Sequence, residues 1–158
     1  MSRQGDLALL DAPVAQSLLR STQPAHLAYV ARDGTPRVVP VWFHWTGAAL
    51  VVGSPTTSPK IQALSPSAPV AVSIDTDAWP YKVLQIRGRA VVDEVSGVAP
   101  EYALAAERYF GAEQGRAWVG QIGAMFPTMA RITVQPQWVA LLDFETRFPG
   151  AIEAASAR

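Results

Sequence analysis

Between Ala25 and Gly53 the chain passes through three apolar stretches separated only by Asp33-Gly34 and Thr46-Gly47. Links that short return a strand antiparallel to the one before it, because a parallel return needs a crossover of about a dozen residues. The spacing therefore predicts strands over residues 25–32, 36–45 and 48–53, joined as a meander. Two more strands are expected over 69–75 and 82–94, with a loop Thr76-Asp77-Ala78-Trp79-Pro80-Tyr81 between them. Residues 129–134 and 138–144, separated by Gln135-Pro136-Gln137, read as a closing hairpin.

Helical spacing interrupts this pattern in few places. Asp11 and Pro13 mark the start of a short helix that carries Val14, Leu18 and Leu19, and Ser58 and Pro59 mark another that runs to Leu64. From about 98 to 122 a helical insertion carries Tyr102, Leu104, Tyr109, Trp118 and Ile122. Six to seven strands with few helices favour an α+β fold, an antiparallel split β-barrel with flanking short helices that would close to hide its edges. The 158 residues fit one domain, and 49% hydrophobic against 16% charged residues is enough for a core and argues for apolar surface shared with a second subunit.

Charge and residue usage exclude several chemistries. Thirteen Lys and Arg balance thirteen Asp and Glu, so no basic field gathers nucleic acid. The absence of Cys removes disulfides and thiolate catalysis, and His26 and His44 are too few for a His-based metal site. No membrane-length apolar run or signal-like start is evident, which points to the cytoplasm. Nucleophile elbows, Walker loops and dinucleotide fingerprints are missing, so reactivity is expected from a bound cofactor.

Three segments stand out. In the strand from Arg37 to Trp45 both parities are apolar, so it needs cover on both faces, and Pro40 removes a ladder donor, which edges and bulges tolerate. Covered by a subunit, this is an interface strand; covered by a ligand, it is a binding edge. The run Gly53-Ser54-Pro55-Thr56-Thr57-Ser58-Pro59-Lys60 joins hydroxyls, a helix start and a lysine, a setting for phosphate that equally reads as a Pro-punctuated turn. Along Val83 to Val92, Leu84, Ile86, Gly88, Ala90 and Val92 face one way and Gln85, Arg87 and Arg89 the other, a solvated face or a meeting place for an anionic cofactor tail. The helical aromatics Tyr109, Phe110 and Trp118 read as core.

In order and spacing, Thr35-Pro36-Arg37-Val38-Val39-Pro40-Val41-Trp42-Phe43, the loop ending Ser58-Pro59-Lys60-Ile61, and Gln85-Ile86-Arg87-Gly88-Arg89-Ala90 resemble the pyridoxamine 5'-phosphate oxidase-like family of FMN-binding split-barrel flavoproteins, over about residues 8–145. The resemblance implies a homodimer with cofactor at the subunit interface and an oxidoreductase that moves hydride to or from a small organic substrate. The cofactor would be FMN or, as in one branch of the family, the 8-hydroxy-5-deazaflavin coenzyme. By the same resemblance Val39, Pro40, Val41 and Trp42 would lie along the ring edge, Thr56, Thr57, Ser58 and Lys60 would hold phosphate, and Arg37 would meet the ribityl or phosphate region. Trp79, Tyr81, Lys82 and Gln85 would complete the pocket from the other subunit. Tyr81, His44 or solvent is left open as proton donor. The chain lacks the Arg-Leu-x-Pro ending of the authentic oxidase, ending instead in Arg147-Phe148-Pro149-Gly150 and an Ala-rich tail, which argues against pyridoxine oxidation. The alternative is a non-catalytic flavin- or haem-storing split barrel.

Overall fold

The structure, a computed structural model, describes residues 2–157. Seven strands form one antiparallel sheet: β1 (Ala25–Val30), β2 (Pro36–Val41), β3 (His44–Trp45), β4 (Leu50–Ser54), β5 (Ser67–Asp75), β6 (Val83–Ser96) and β7 (Thr128–Leu142). Their order is β2-β1-β5-β6-β7-β4-β3. The expected α+β class with flanking helices holds, but β2 and β3 are edges that do not pair with each other, so the barrel stays split. Leu27, Val52, Ile74, Ile86, Ile132 and Leu141, from five different strands, share one core.

The predicted meander is only half right. β1 and β2 form the hairpin, whereas the stretch after it does not continue alongside β2: β3 and β4 pair with each other, and β4 pairs with β7. The run 36–45 breaks at Trp42 and Phe43, where the fully buried Phe43 drops into the core and carries the chain to the far end of the sheet. An apolar run does not register this break, because strand parity continues through it. Cover on β2 is also one-sided within the chain: Val39 and Val41 pack on the core, while Val38 is 64% exposed. Pro40 sits on the edge strand, where a missing donor costs nothing.

The closing hairpin is likewise not formed. Residues 128–142 are a single strand paired along the whole of β6, with a register shift at Arg87/Gly88 where Gln135-Pro136-Gln137 passes. Gly88 permits this: a Cβ there would collide with the Gln135 carbonyl. The turn-like Gln-Pro-Gln is thus a bulge held against a glycine.

The helices are α1 (Pro13–Leu19), α2 (Pro59–Leu64), α3 (Pro100–Phe110), α4 (Ala112–Met125) and α5 (Gly150–Ser156). Asp11 does not cap α1; it ends a 3-10 turn over Leu7–Asp11 whose own cap is Asp6, accepting from the Ala8 amide, and Ala12 holds the α1 cap position. Ser58 does occupy the α2 cap position, but its hydroxyl accepts from the Lys60 ammonium at 2.9 Å and makes no capping bond. The α3 and α4 pair lies between β6 and β7 as the sequence indicates and reaches slightly further, to Met125. Among the described residues no helix is long and apolar enough to cross a membrane.

Candidate functional site

A cavity of about 300 Å³ opens where the end of β2 meets the end of β4 and the helical pair. Pro40, Val41 and Trp42 form one wall, Ser54 and Lys60 another, and Tyr102 and Trp118 close it from α3 and α4. The aromatic wall is fixed by its own packing. Trp42 stacks on Tyr109 with centroids 5.2 Å apart and 7° between planes, meets Phe110 edge-on at 4.8 Å, and the Trp118 indole N–H donates to the Tyr102 hydroxyl at 2.9 Å. Tyr109 is anchored by donating its hydroxyl to the Gln23 carbonyl, and burial raises its pKa above the usual tyrosine value. Gly53 admits this wall against β4, since a Cβ there would lie 2.8 Å from the Tyr102 ring.

One buried hydroxyl in the cavity lacks a hydrogen bond and one ammonium lacks a counter-charge among the described residues. Ser54 is 1% exposed and its hydroxyl has no hydrogen-bond partner among the described residues. A buried, unpaired hydroxyl costs about 1–3 kcal/mol, which a ligand acceptor or a water can recover. Lys60 is half-buried, burial lowers its pKa, and the ion pairs of the described residues engage His26, Arg37, Arg116 and Arg131 but not Lys60. A partly desolvated ammonium without a carboxylate attracts an anion. Aromatic walls with an uncompensated cation and an orphaned hydroxyl suit a planar group that carries phosphate, so the residues present fit a flavin-type cofactor.

The structure brings together only part of the expected set. Pro40, Val41, Trp42 and Lys60 line the cavity; Val39 faces the core beside it. Thr56, Thr57 and Ser58 form the turn between Ser54 and α2, with only Ser58 linked to Lys60. Arg37, near the start of β2, reaches back to the β1–β2 turn, pairing with Asp33 at 3.0 Å and donating to Thr35, and does not line the cavity. Gln85 lines a different cavity on the outer face of the sheet. Trp79 and Tyr81 gather with Phe144 at the end of β7, with Trp79 5.4 Å from both rings, and Lys82 is exposed beside them, its amide donating to Thr76. His44 lies elsewhere again, near Arg108, where burial first and Arg108 second lower its pKa.

Two cavity residues escaped sequence reading. Trp118, expected in the core, is a wall, and Tyr102 joins it. Ser54, one of the hydroxyls in the run read as a setting for phosphate, is also the polar member of the inward parity Leu50, Val52, Ser54.

No family model matches the chain, and no curated protein matches it. Among solved structures it is 31% identical to an F420 reductase, with a TM-score of 0.60, covering 79% of this chain and 94% of that one. A protein related to general stress protein 26, of the pyridoxinephosphate oxidase family, from Clostridium acetobutylicum has a TM-score of 0.58 at 12% identity, covering 87% and 89%. An FAD and heme binding protein from Mycobacterium smegmatis has a TM-score of 0.56 at 22% identity, covering 89% and 75%. With its open seven-stranded sheet and these relatives, the chain belongs to the pyridoxamine 5'-phosphate oxidase-like, FMN-binding split-barrel family.

Proposed function

We propose that this protein is an oxidoreductase that binds a flavin-type cofactor in the Lys60 cavity and works as a homodimer. The observation that carries the reading is a half-buried Lys60 ammonium that meets the Ser58 hydroxyl but no carboxylate among the described residues, lining one cavity with the orphaned Ser54 hydroxyl. The F420 reductase among its relatives favours the 8-hydroxy-5-deazaflavin coenzyme over FMN. When bound, either group supplies hydride transfer.

The chain's own residues do the rest. Lys60 and Ser58, with Thr56 and Thr57 in the same turn, hold phosphate; Pro40, Val41 and Trp42 orient the ring from the β2 edge, with Val39 fixing that edge to the core. The locked Trp42, Tyr102 and Trp118 wall excludes water. Arg37, Trp79, Tyr81, Lys82 and Gln85 lie outside this cavity within one chain, so their contribution requires the second copy. The exposed Val38 on β2 and Val91 on β6 supply an apolar face for that copy. The substrate is a small organic molecule, and the protein works in the cytoplasm.

Fluorescence-quenching titration of cofactor-stripped protein with F420 and with FMN tests this. F420 is expected to bind more tightly, and Lys60→Ala to weaken binding by about 1.5–3 kcal/mol, the worth of a charge-assisted contact. If neither compound binds, the oxidoreductase reading fails; bound cofactor that never turns over with any reductant and acceptor pair points to storage.

A further inference from the structure

We propose that a cavity between α1, β3 and α3 is a binding site for a small organic monocarboxylate. It measures about 550 Å³ and shares no lining residue with the Lys60 cavity. None of its lining residues belongs to β1, β2, β5 or β6, the strands whose outer face is offered to the second copy. Chain topology builds it. Ala15, Leu18 and Leu19 bury one face of α1 in the core, which leaves Arg20 at the end of that helix. The break at Trp42 and Phe43 brings His44 and Trp45 of β3 to the same place, and α3, packed against β3, adds Arg108.

Arg108 is the fixed point of the site. Its Nε donates to the Ser21 carbonyl at 2.9 Å and its Nη2 to the Phe43 carbonyl, while the guanidinium lies over the Phe43 and Tyr109 rings, 4.8 and 4.9 Å from their centroids. These contacts set the plane of the fork, but none of them supplies a negative charge. Nη1 has no partner among the described residues. The ion pairs of the described residues leave out Arg108, Arg20 and Asp11 alike. A partly buried guanidinium without a carboxylate is a charge that the fold has not compensated.

The lining selects the ligand. Burial and then Arg108 lower the His44 pKa, against Glu101, so the imidazole is neutral at pH 7 and offers one donor and one acceptor. The two guanidinia of Arg20 and Arg108 therefore stand against the single carboxylate of Asp11. That balance is neutralised by a monoanion and overshot by a dianion. A carboxylate is the planar anion whose oxygens match a guanidinium held in one plane. Leu19 and Trp45 add apolar lining for the body of the ligand, and the volume admits a molecule of one or two rings.

Calorimetric titration of the full-length protein with benzoate, and with benzamide as its uncharged counterpart, tests the site. Histidine NMR on the same samples locates the probe, because His26 and His44 are the only histidines of the chain. Benzoate is expected to bind at least about tenfold more tightly than benzamide, the lower end of a charge-assisted contact. It should move the ring signals of His44 and leave those of His26 in place. Arg108→Lys should lose most of the preference and Arg20→Gln part of it, while Lys60→Met should keep it whole. Equal affinities, or no binding of either probe, overturn the proposal on the parent protein alone, even if a variant fails to fold. Shifts at His26 in place of His44 would put benzoate on the outer face of the sheet, and its loss in Lys60→Met would put it in the Lys60 cavity; either result overturns the proposal, as does an undiminished preference in both arginine variants.

Discussion

The two cavities that flank the β2 edge are built in opposite ways. The Lys60 cavity depends on distant segments: residues from β2, β4, α2, α3 and α4 meet there, and its wall is a stack of aromatics in which the Trp118 indole donates to the Tyr102 hydroxyl and the Tyr109 hydroxyl to the Gln23 carbonyl. The outer-face cavity depends on register alone, because its residues are neighbours across consecutive strand pairs. The first is therefore sensitive to anything that displaces a helix, and the second to anything that slips a strand. Packing rigidifies one; in the other the Arg87 guanidinium is held by its stack on Trp138.

The sharpest way to break this contrast is Gly53→Val. A side chain there meets the Tyr102 ring and the Met129 sulfur, at 2.8 and 2.7 Å from the first added carbon, and should cost about 3 kcal/mol in a urea melt as overpacking. Cofactor affinity should fall with it, while the outer-face register should be untouched in the molecules that fold.

A smaller effect is expected at the end of β7, where the Trp79, Tyr81 and Phe144 cluster belongs to neither cavity. There Asp143 is buried, which alone would raise its pKa, but hydrogen bonds from the Thr146 hydroxyl and the amides of Glu145, Arg147 and Thr146 outweigh this and hold the carboxyl well below the usual range. A depressed carboxyl stabilises the fold above its unfolded value near pH 4, and the contribution is lost as pH falls towards the folded value. Asp143→Asn should cost about 2 kcal/mol at pH 7, with the gap to the parent narrowing in melts below about pH 4. Cofactor affinity should hold.

The smallest effect sharpens the Lys60 assignment. Burial disfavours its charge in the ligand-free protein, so Lys60→Met should leave stability unchanged or raise it by less than about 1 kcal/mol, the half-exposed head being screened. A clear fall in the melting temperature would mean that Lys60 has a structural role, against an anion site.

Much of the fold was readable because short-range chemistry dictates it. Asp33-Gly34 forms a hairpin wherever apolar strands flank it, and Pro59 and Pro100 start helices that end where the periodicity ends, at Leu64 and Phe110. The failures share a cause. Trp42-Phe43 and Gln135-Pro136-Gln137 were misread because one looks like unbroken strand and the other like a turn; Phe43 is taken by the core, and Gly88 on another strand accommodates the bulge. At the candidate site, Pro40, Val41, Trp42 and Lys60 were visible as motif residues, whereas Tyr102 and Trp118 carried nothing to distinguish them from core aromatics on an amphipathic helix.

The sequence by itself determined the α+β class, the antiparallel hairpin, the helical insertion and the family, since turn residues, periodicity and motif order are local and survive without coordinates. Only the tertiary structure decided that β4 pairs with β7, that among the described residues Lys60 has no carboxylate partner and Ser54 no hydrogen bond, and that His26 and Arg87 border one cavity. Those facts depend on which distant strands lie side by side, and pairing is settled by burial of the whole core at once rather than by any segment's own preference.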